Sequence, residues 1–426
     1  MDIIRLMKEP FAWDNYSDQP ALLKDKVYKK EMRKNQLFSL LKTAISALII
    51  LPISLTSMPF VRRREIKQTK FISLGVDFER EVESTNILLA ELNVKNILLR
   101  CKLWELDKLD KLKEFAQEHS DKKVVLKILQ DRENIEDLTL LEKNLKTIFT
   151  KLDGLIDIYE IGSTINRTKW GFFSVDEYNH FFQVAYKLKK SQFPNIKLIG
   201  SGVIDFEYHF TAHTLFNFFK YTYDGVSSLL YVDRRGAPEN TQLGFTLSDK
   251  IAWLSTMVWL SPKTNKELHI TETNWPLKGT APYAPTSEKE CIDEESYANF
   301  MLRYYLLAFA SQQVDSVSWH QLIAPGYGLV DNRDGIKKRA AFQTFKYMLQ
   351  TLQNAQFLRL DITRNYYILQ CLVDEKLLQI HWSLIDTTLQ NEEFFTVYDR
   401  DGQRINKETL DIGEKPSYIY IKDAVK

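Results

Sequence analysis

The chain has 426 residues, 44% of them hydrophobic and 27% charged, with a formal net charge of +1. That composition belongs to a globular protein with ample core, long enough for one large domain and a smaller one. The balanced charge gives no basic footprint for nucleic acid. Three scattered cysteines (Cys101, Cys291, Cys371) and the lack of an HExxH motif suggest neither a disulfide framework nor a zinc site, so no metal or cofactor is expected.

Residues 1–36 read as a polar segment that becomes basic toward its end, with Lys24, Lys26, Lys29, Lys30, Arg33 and Lys34 crowded together. Residues 37–60 are mostly apolar and carry no charge after Lys42. About 20 such residues are enough to cross a bilayer. The run is therefore expected to be a membrane-anchor helix, with Lys42 free to snorkel and Pro52 tolerable inside lipid. A buried or interfacial helix is the alternative. Arg62, Arg63 and Arg64 close the run, so charge on both flanks leaves orientation open.

From Lys70 onward, short apolar runs alternate with helical periodicity. Strands are expected at 71–77, 96–100, 124–129, 156–162, 197–203, 225–231, 266–272 and 314–319. Helices are expected at 83–92, 109–119, 138–152, 175–191, 213–220, 247–260, 294–311 and 338–352. Eight strand–helix repeats over residues 70–352 are the size of a (β/α)8 TIM barrel in the α/β class. Near-continuous apolar strands suit a parallel sheet covered by helices. A doubly wound open sheet would want a glycine-rich phosphate loop after its first strand, and none is present. Residues 355–426 hold only short strands and turns, and read as a small antiparallel β-sandwich.

The stretch Ile270-Thr271-Glu272-Thr273-Asn274-Trp275 ends a strand on a carboxylate. Leu268, Ile270 and Glu272 share one parity and are expected on one face. A carboxylate there is costly to bury, and the C-terminal ends of barrel strands are where barrel enzymes keep their reacting groups. Other strand ends would bring Asp77, Arg100, Gln130, Thr164, Asn166, Tyr231, Asp233, Trp319 and His320 to the same mouth. Carboxylates, an arginine and aromatic rings together suit sugar chemistry. Glu160 sits four residues before Thr164, about 13 Å deeper, and is expected to pair with Lys127 as a structural ion pair. The charged stretch 231–240 is expected to line the cleft. Arg167, Lys169 and Trp170 would suit an acidic or phosphorylated sugar.

The order of these residues resembles the clan A glycoside hydrolases, which are retaining (β/α)8 enzymes. The resemblance covers about residues 70–350, and an appended sandwich also occurs in that clan. It implies Glu272 as the catalytic nucleophile at the end of strand 7. It also implies Arg100, Tyr231 and Trp319 as the clan's strand 2 arginine, nearby tyrosine and strand 8 tryptophan. The clan's acid/base is a glutamate after asparagine at the end of strand 4. Here the frame Tyr159-Glu160-Ile161-Gly162-Ser163-Thr164 puts Ser163 and Thr164 in that place, and threonine cannot protonate a leaving group near pH 7. The expected substrate-binding set is Arg100, Thr164, Asn166, Tyr231, Asp233, Trp275, Trp319 and His320. The expected function is that of a glycosidase-like protein, attached to a bacterial inner membrane, acting on a surface polysaccharide or a lipopolysaccharide oligosaccharide. A catalytically inactive barrel that binds a glycan or a partner is the alternative.

Overall fold

The computed structural model describes residues 11–61, 68–233, 236–390 and 395–421. Arg62, Arg63, Arg64, Arg234, Arg235 and Phe394, and the first ten residues of the basic leader, lie outside the described residues. Eight parallel strands close into a ring. They are β1 (Ile72–Gly75), β2 (Asn96–Lys102), β3 (Lys123–Leu129), β4 (Ile158–Ile161), β5 (Lys197–Ile204), β6 (Gly225–Leu229), β7 (Leu268–Thr273) and β8 (Ser316–Trp319). Closure is direct: Val317 of β8 pairs with Ile72 of β1. The open-sheet alternative is thereby excluded, and the strand ends share one mouth.

Helix ends follow local chemistry. Ser174 caps Val175–Ser191 by accepting from the Glu177 amide, and Thr246 with Asp249 forms a capping box for Leu247–Leu260. The helix expected at 213–220 lies instead at Tyr208–Leu215. Asn217 explains its early stop, because its side chain takes the free carbonyls of His213 and Thr214.

After the last barrel helix, Ala340–Leu352, a six-stranded antiparallel sheet forms, beginning with the hairpin Gln356–Thr363 and Tyr366–Val373. A two-stranded sheet, Thr387–Gln390 with Thr409–Ile412, supplies Leu410 and Ile412 to a small core with Val397 and Ile419. Those two strands and Arg404–Ile405 were not visible in the residue pattern, being only two to four residues long.

The N-terminal segment differs from the polar leader expected. Trp13–Asp14 and Gln19–Pro20 make a two-rung hairpin. Phe11, Trp13 and Leu23 pack with Trp104, Leu129, Trp170 and Phe173, residues at or just past the C-terminal ends of barrel strands. Aromatic side chains in an otherwise polar stretch were the available signal: they can bury large area on a surface already rich in indoles. Two helices follow, α1 (Lys26–Asn35) and α2 (Leu37–Ser57). With its last 3-10 turn α2 spans Leu37–Phe60, long and apolar enough to cross a membrane.

Candidate active site

Glu272 lies at the mouth, but not by the parity that nominated it. His269 and Thr271 line the interior of the barrel, while Leu268 and Ile270 belong to the hydrophobic core. A register shift of β7 against β8 falls between the pairs Val317–Ile270 and Trp319–Thr273, so β7 spends one extra residue there. That bulge carries Glu272 to the interior after Thr271, opposite in sense to Leu268 and Ile270. Bulges re-aim side chains in this way beside active sites.

Two groups contact the Glu272 carboxylate, and one of them also reaches Glu160. Tyr231 Oη donates to Glu272 Oε1 at 2.8 Å. Lys127 Nζ stands 3.5 Å from Glu272 Oε2 and 3.4 Å from Glu160 Oε2. Thr271 Oγ1 donates to the other Glu160 oxygen at 2.8 Å. Lys127 is thus one buried cation shared by a deep carboxylate and the mouth carboxylate, a wider role than the expected pair with Glu160 alone. Burial by itself would raise the Glu272 carboxyl, but nearby His320, Lys127 and Arg100 and the Tyr231 hydrogen bond hold it down to about 2. Burial pushes His320 down to about 4 against the pull of Glu272, so the imidazole is neutral at pH 7. At that pH the cations stabilising Glu272 are Lys127 and Arg100.

The mouth cavity, about 210 Å³, is lined by Glu272, Tyr231, Thr164, Arg100, Arg167 and Lys169, among others. Thr164 is buried, with φ of +53°, a left-handed conformation that a β-branched residue rarely adopts. Gln130 holds this turn, accepting from the Ser163 amide and donating to the carbonyls of Ser163 and Trp170. His320 stacks on Tyr327, with ring centres 5.3 Å apart, and both rings line the cavity.

The N-terminal hairpin completes the site. Asp18 accepts from Arg100 Nη1 at 2.8 Å, and Gln19 accepts from Lys169 Nζ at 2.7 Å. Burial would raise the Asp18 carboxyl, but Arg100 and Arg80 outweigh it and hold it well below the usual carboxylate range. Asp18 and Arg100 also line a second cavity of about 260 Å³, shared with Asp77, Glu79, Arg80 and Lys108. The pair therefore forms the wall between two polar cavities of one mouth. Asp18, Lys127 and Tyr327 were missing from the expected site because their partners are remote in sequence.

Four expected binding residues lie elsewhere. Asn166 staples β4 to β5: its amide donates to the Ile204 carbonyl and to Glu207, and it accepts from the Ile204 amide. Trp275 and Trp319 are wholly buried and stack on each other at 5.9 Å, so neither offers a face to a sugar. The Trp319 indole donates to Tyr297 Oη, and that of Trp275 to the Gly236 carbonyl. Asp233 lies off the cavity wall. Arg167 does line the cavity, but is held by Asp205 and Glu207, each at 2.6 Å.

No family model matches the chain, and no curated protein matches it in sequence. Solved structures do. A family 39 glycoside hydrolase from Bacteroides cellulosilyticus WH2 superposes with a TM-score of 0.65 at 13% identity, over 84% of this chain and 82% of that one. A family 30 endoxylanase from Clostridium papyrosolvens gives 0.55 at 10% identity, over 84% and 97%. A family 51 α-L-arabinofuranosidase from Bifidobacterium longum gives 0.54 at 10% identity, over 84% and 97%. The fold is that of the clan A glycoside hydrolases. In this barrel Glu272, the carboxylate at the end of β7, faces the mouth.

Proposed function

We propose that the protein is a glycosidase-like barrel that binds an anionic surface glycan, with Glu272 as the nucleophile of a retaining reaction. One observation carries the reading: Glu272 is ionised at the mouth, receives a hydrogen bond from Tyr231 and faces cations. A nucleophilic carboxylate has to be charged at working pH, and the lowered pKa provides this. Arg100, Lys169 and Arg167 around the cavity suit a sugar bearing carboxylate or phosphate. Tyr327 and His320, rather than Trp319, offer rings to the ligand.

The acid partner is the weak half of the machinery. Thr164 holds no titrating proton, and Asp18, Asp205 and Glu207 are each tied to an arginine. Loss of a general acid costs on the order of 10²–10⁴-fold. Turnover is therefore expected for glycosides whose leaving group departs without protonation. Dinitrophenyl glycosides and 2-deoxy-2-fluoro glycosides, chosen to include uronic acids, test this: the expected result is a burst of phenolate and a mass adduct on Glu272. Neither signal across the panel removes the nucleophile assignment.

The second reading is a non-catalytic glycan receptor, and Thr164 favours it. Glycan affinity unchanged by Glu272→Gln, without hydrolysis, supports it. Hydrolysis gained by Thr164→Glu instead marks a hydrolase that has lost its acid. Attachment to a membrane, the bacterial inner membrane in this reading, rests on the apolar run of α2.

A further inference from the structure

The placement of α2 is inverted for a helix on a protein surface. Its buried residues are Ser39, Thr43 and Ser54, all polar. They are hydrogen-bonded to the barrel wall. The Asp176 amide donates to Ser39 Oγ at 3.2 Å, Thr43 Oγ1 lies 2.8 Å from His213 Nδ1, and the Trp253 indole donates to Ser54 Oγ at 2.7 Å. Lys42 pairs with Asp176 at 2.8 Å. The contacts run from one end of the helix to the other, so α2 lies along the outside of the barrel.

The opposite face is apolar and uncovered. Leu37, Phe38, Leu41, Ile45, Leu48 and Ile53 are 49–77% exposed, and Phe60 continues the stripe at 77%. A stripe of this length exceeds what a surface ordinarily leaves in water. Immediately before it, α1 carries Lys26, Lys29, Lys30, Arg33 and Lys34 against a single carboxylate, Glu31. A stripe of Leu, Ile and Phe beside clustered cations has the chemistry of an anionic bilayer surface: apolar groups enter the acyl boundary and cations meet the headgroups.

We infer that α2 binds an anionic membrane in plane, remaining docked on the barrel, and does not cross it. A crossing helix would have to leave Ser39, Thr43 and Ser54 or carry the charged barrel wall into hydrocarbon, where unsatisfied polar groups are costly. The inference deepens the membrane attachment of the preceding reading and rests on it. It is independent of the sugar chemistry. Because α2 begins beside Ser174 and Glu177, at the barrel end bearing the mouth, the glycan site opens close to the lipid surface.

Two measurements on the full chain test it. Flotation with phosphatidylcholine vesicles, with and without phosphatidylglycerol, reads attachment. Binding is expected only with the anionic lipid, and Phe38→Glu with Leu48→Glu is expected to weaken it on the order of a hundredfold, since two buried apolar side chains are lost. Both residues are exposed, so circular dichroism of the variant should be unchanged. The second measurement is a short thiol cross-link between Thr43→Cys and His213→Cys, clean because the native cysteines are buried. The link is expected to form on vesicle-bound protein without releasing it. Flotation with no link on membranes overturns the in-plane mode while attachment stands. A link with no flotation overturns attachment, as does a dimer closed through the α2 face that ignores vesicles.

Discussion

Removing the cation under Glu272 should cost stability in a pH-dependent way. Lys127 is buried between Glu160 and Glu272, at 3.4 and 3.5 Å. At an effective dielectric of 20, one such contact is worth about 5 kcal/mol before desolvation. Breaking a buried ion pair typically costs about 3–5 kcal/mol, because a charge is left behind. Lys127→Met keeps the volume and leaves two carboxylates facing each other, so a loss of about 3–5 kcal/mol at pH 7 is expected. The pH trend follows from linkage. The Glu272 pKa falls from 4.5 to about 2 on folding. The folded-state value is depressed, so its contribution is full above pH 4.5 and is lost as pH falls toward 2; it amounts to about 3 kcal/mol. In the variant the part of that contribution that Lys127 supplies is gone, and Glu272 protonates at higher pH. Wild type and variant should therefore converge in acid. Urea unfolding followed by tryptophan fluorescence at pH 7, 5 and 3.5 measures both effects. A loss under about 1 kcal/mol at pH 7, or an equal gap at all three values, refutes the shared-cation account.

Asp18→Asn should free Arg100 and loosen the hairpin over the mouth, so that limited proteolysis cuts within residues 11–25 faster than in wild type. An unchanged cleavage rate means the Trp13 and Phe11 packing alone holds the hairpin. Thr164→Gly should stabilise the fold by about 1 kcal/mol in urea, because glycine relieves the left-handed strain. A loss instead would mean that the threonine side chain contributes more than its backbone costs. Trp319→Ala should destabilise by about 3–5 kcal/mol, as removal of a buried aromatic does. Trp319→Phe should leave glycan affinity within twofold; a large affinity loss in a stably folded Phe variant would return Trp319 to the site.

The architecture was legible along the chain because each barrel repeat is local. An apolar strand and an amphipathic helix declare themselves within about 25 residues, and eight of them in succession leave few ways to close. Glu272 was legible for the same reason, as a carboxylate ending an apolar run before Asn274 and Trp275. Its direction was not. Parity assumes an unbroken pleat, and the extra residue in β7 is defined only against its neighbour β8. The six-stranded sheet was readable where its strands are long; the separate pair Thr387–Gln390 and Thr409–Ile412 was not, because each is only four residues long.

Composition and periodicity thus determined the barrel, its appended sheet and an apolar helix ahead of both. Which side chains share the mouth was decided by tertiary packing: ring closure brings Tyr231 to Glu272 and Lys127 to two acids at once, and docking of the N-terminal hairpin brings Asp18 to Arg100. The same holds for α2: its residues announce an apolar helix, but only the barrel wall, by offering Asp176, His213 and Trp253 to its few polar groups, turns that apolar side outward. Local sequence reports the period of a face, whereas the partner across the fold sets which way the face turns.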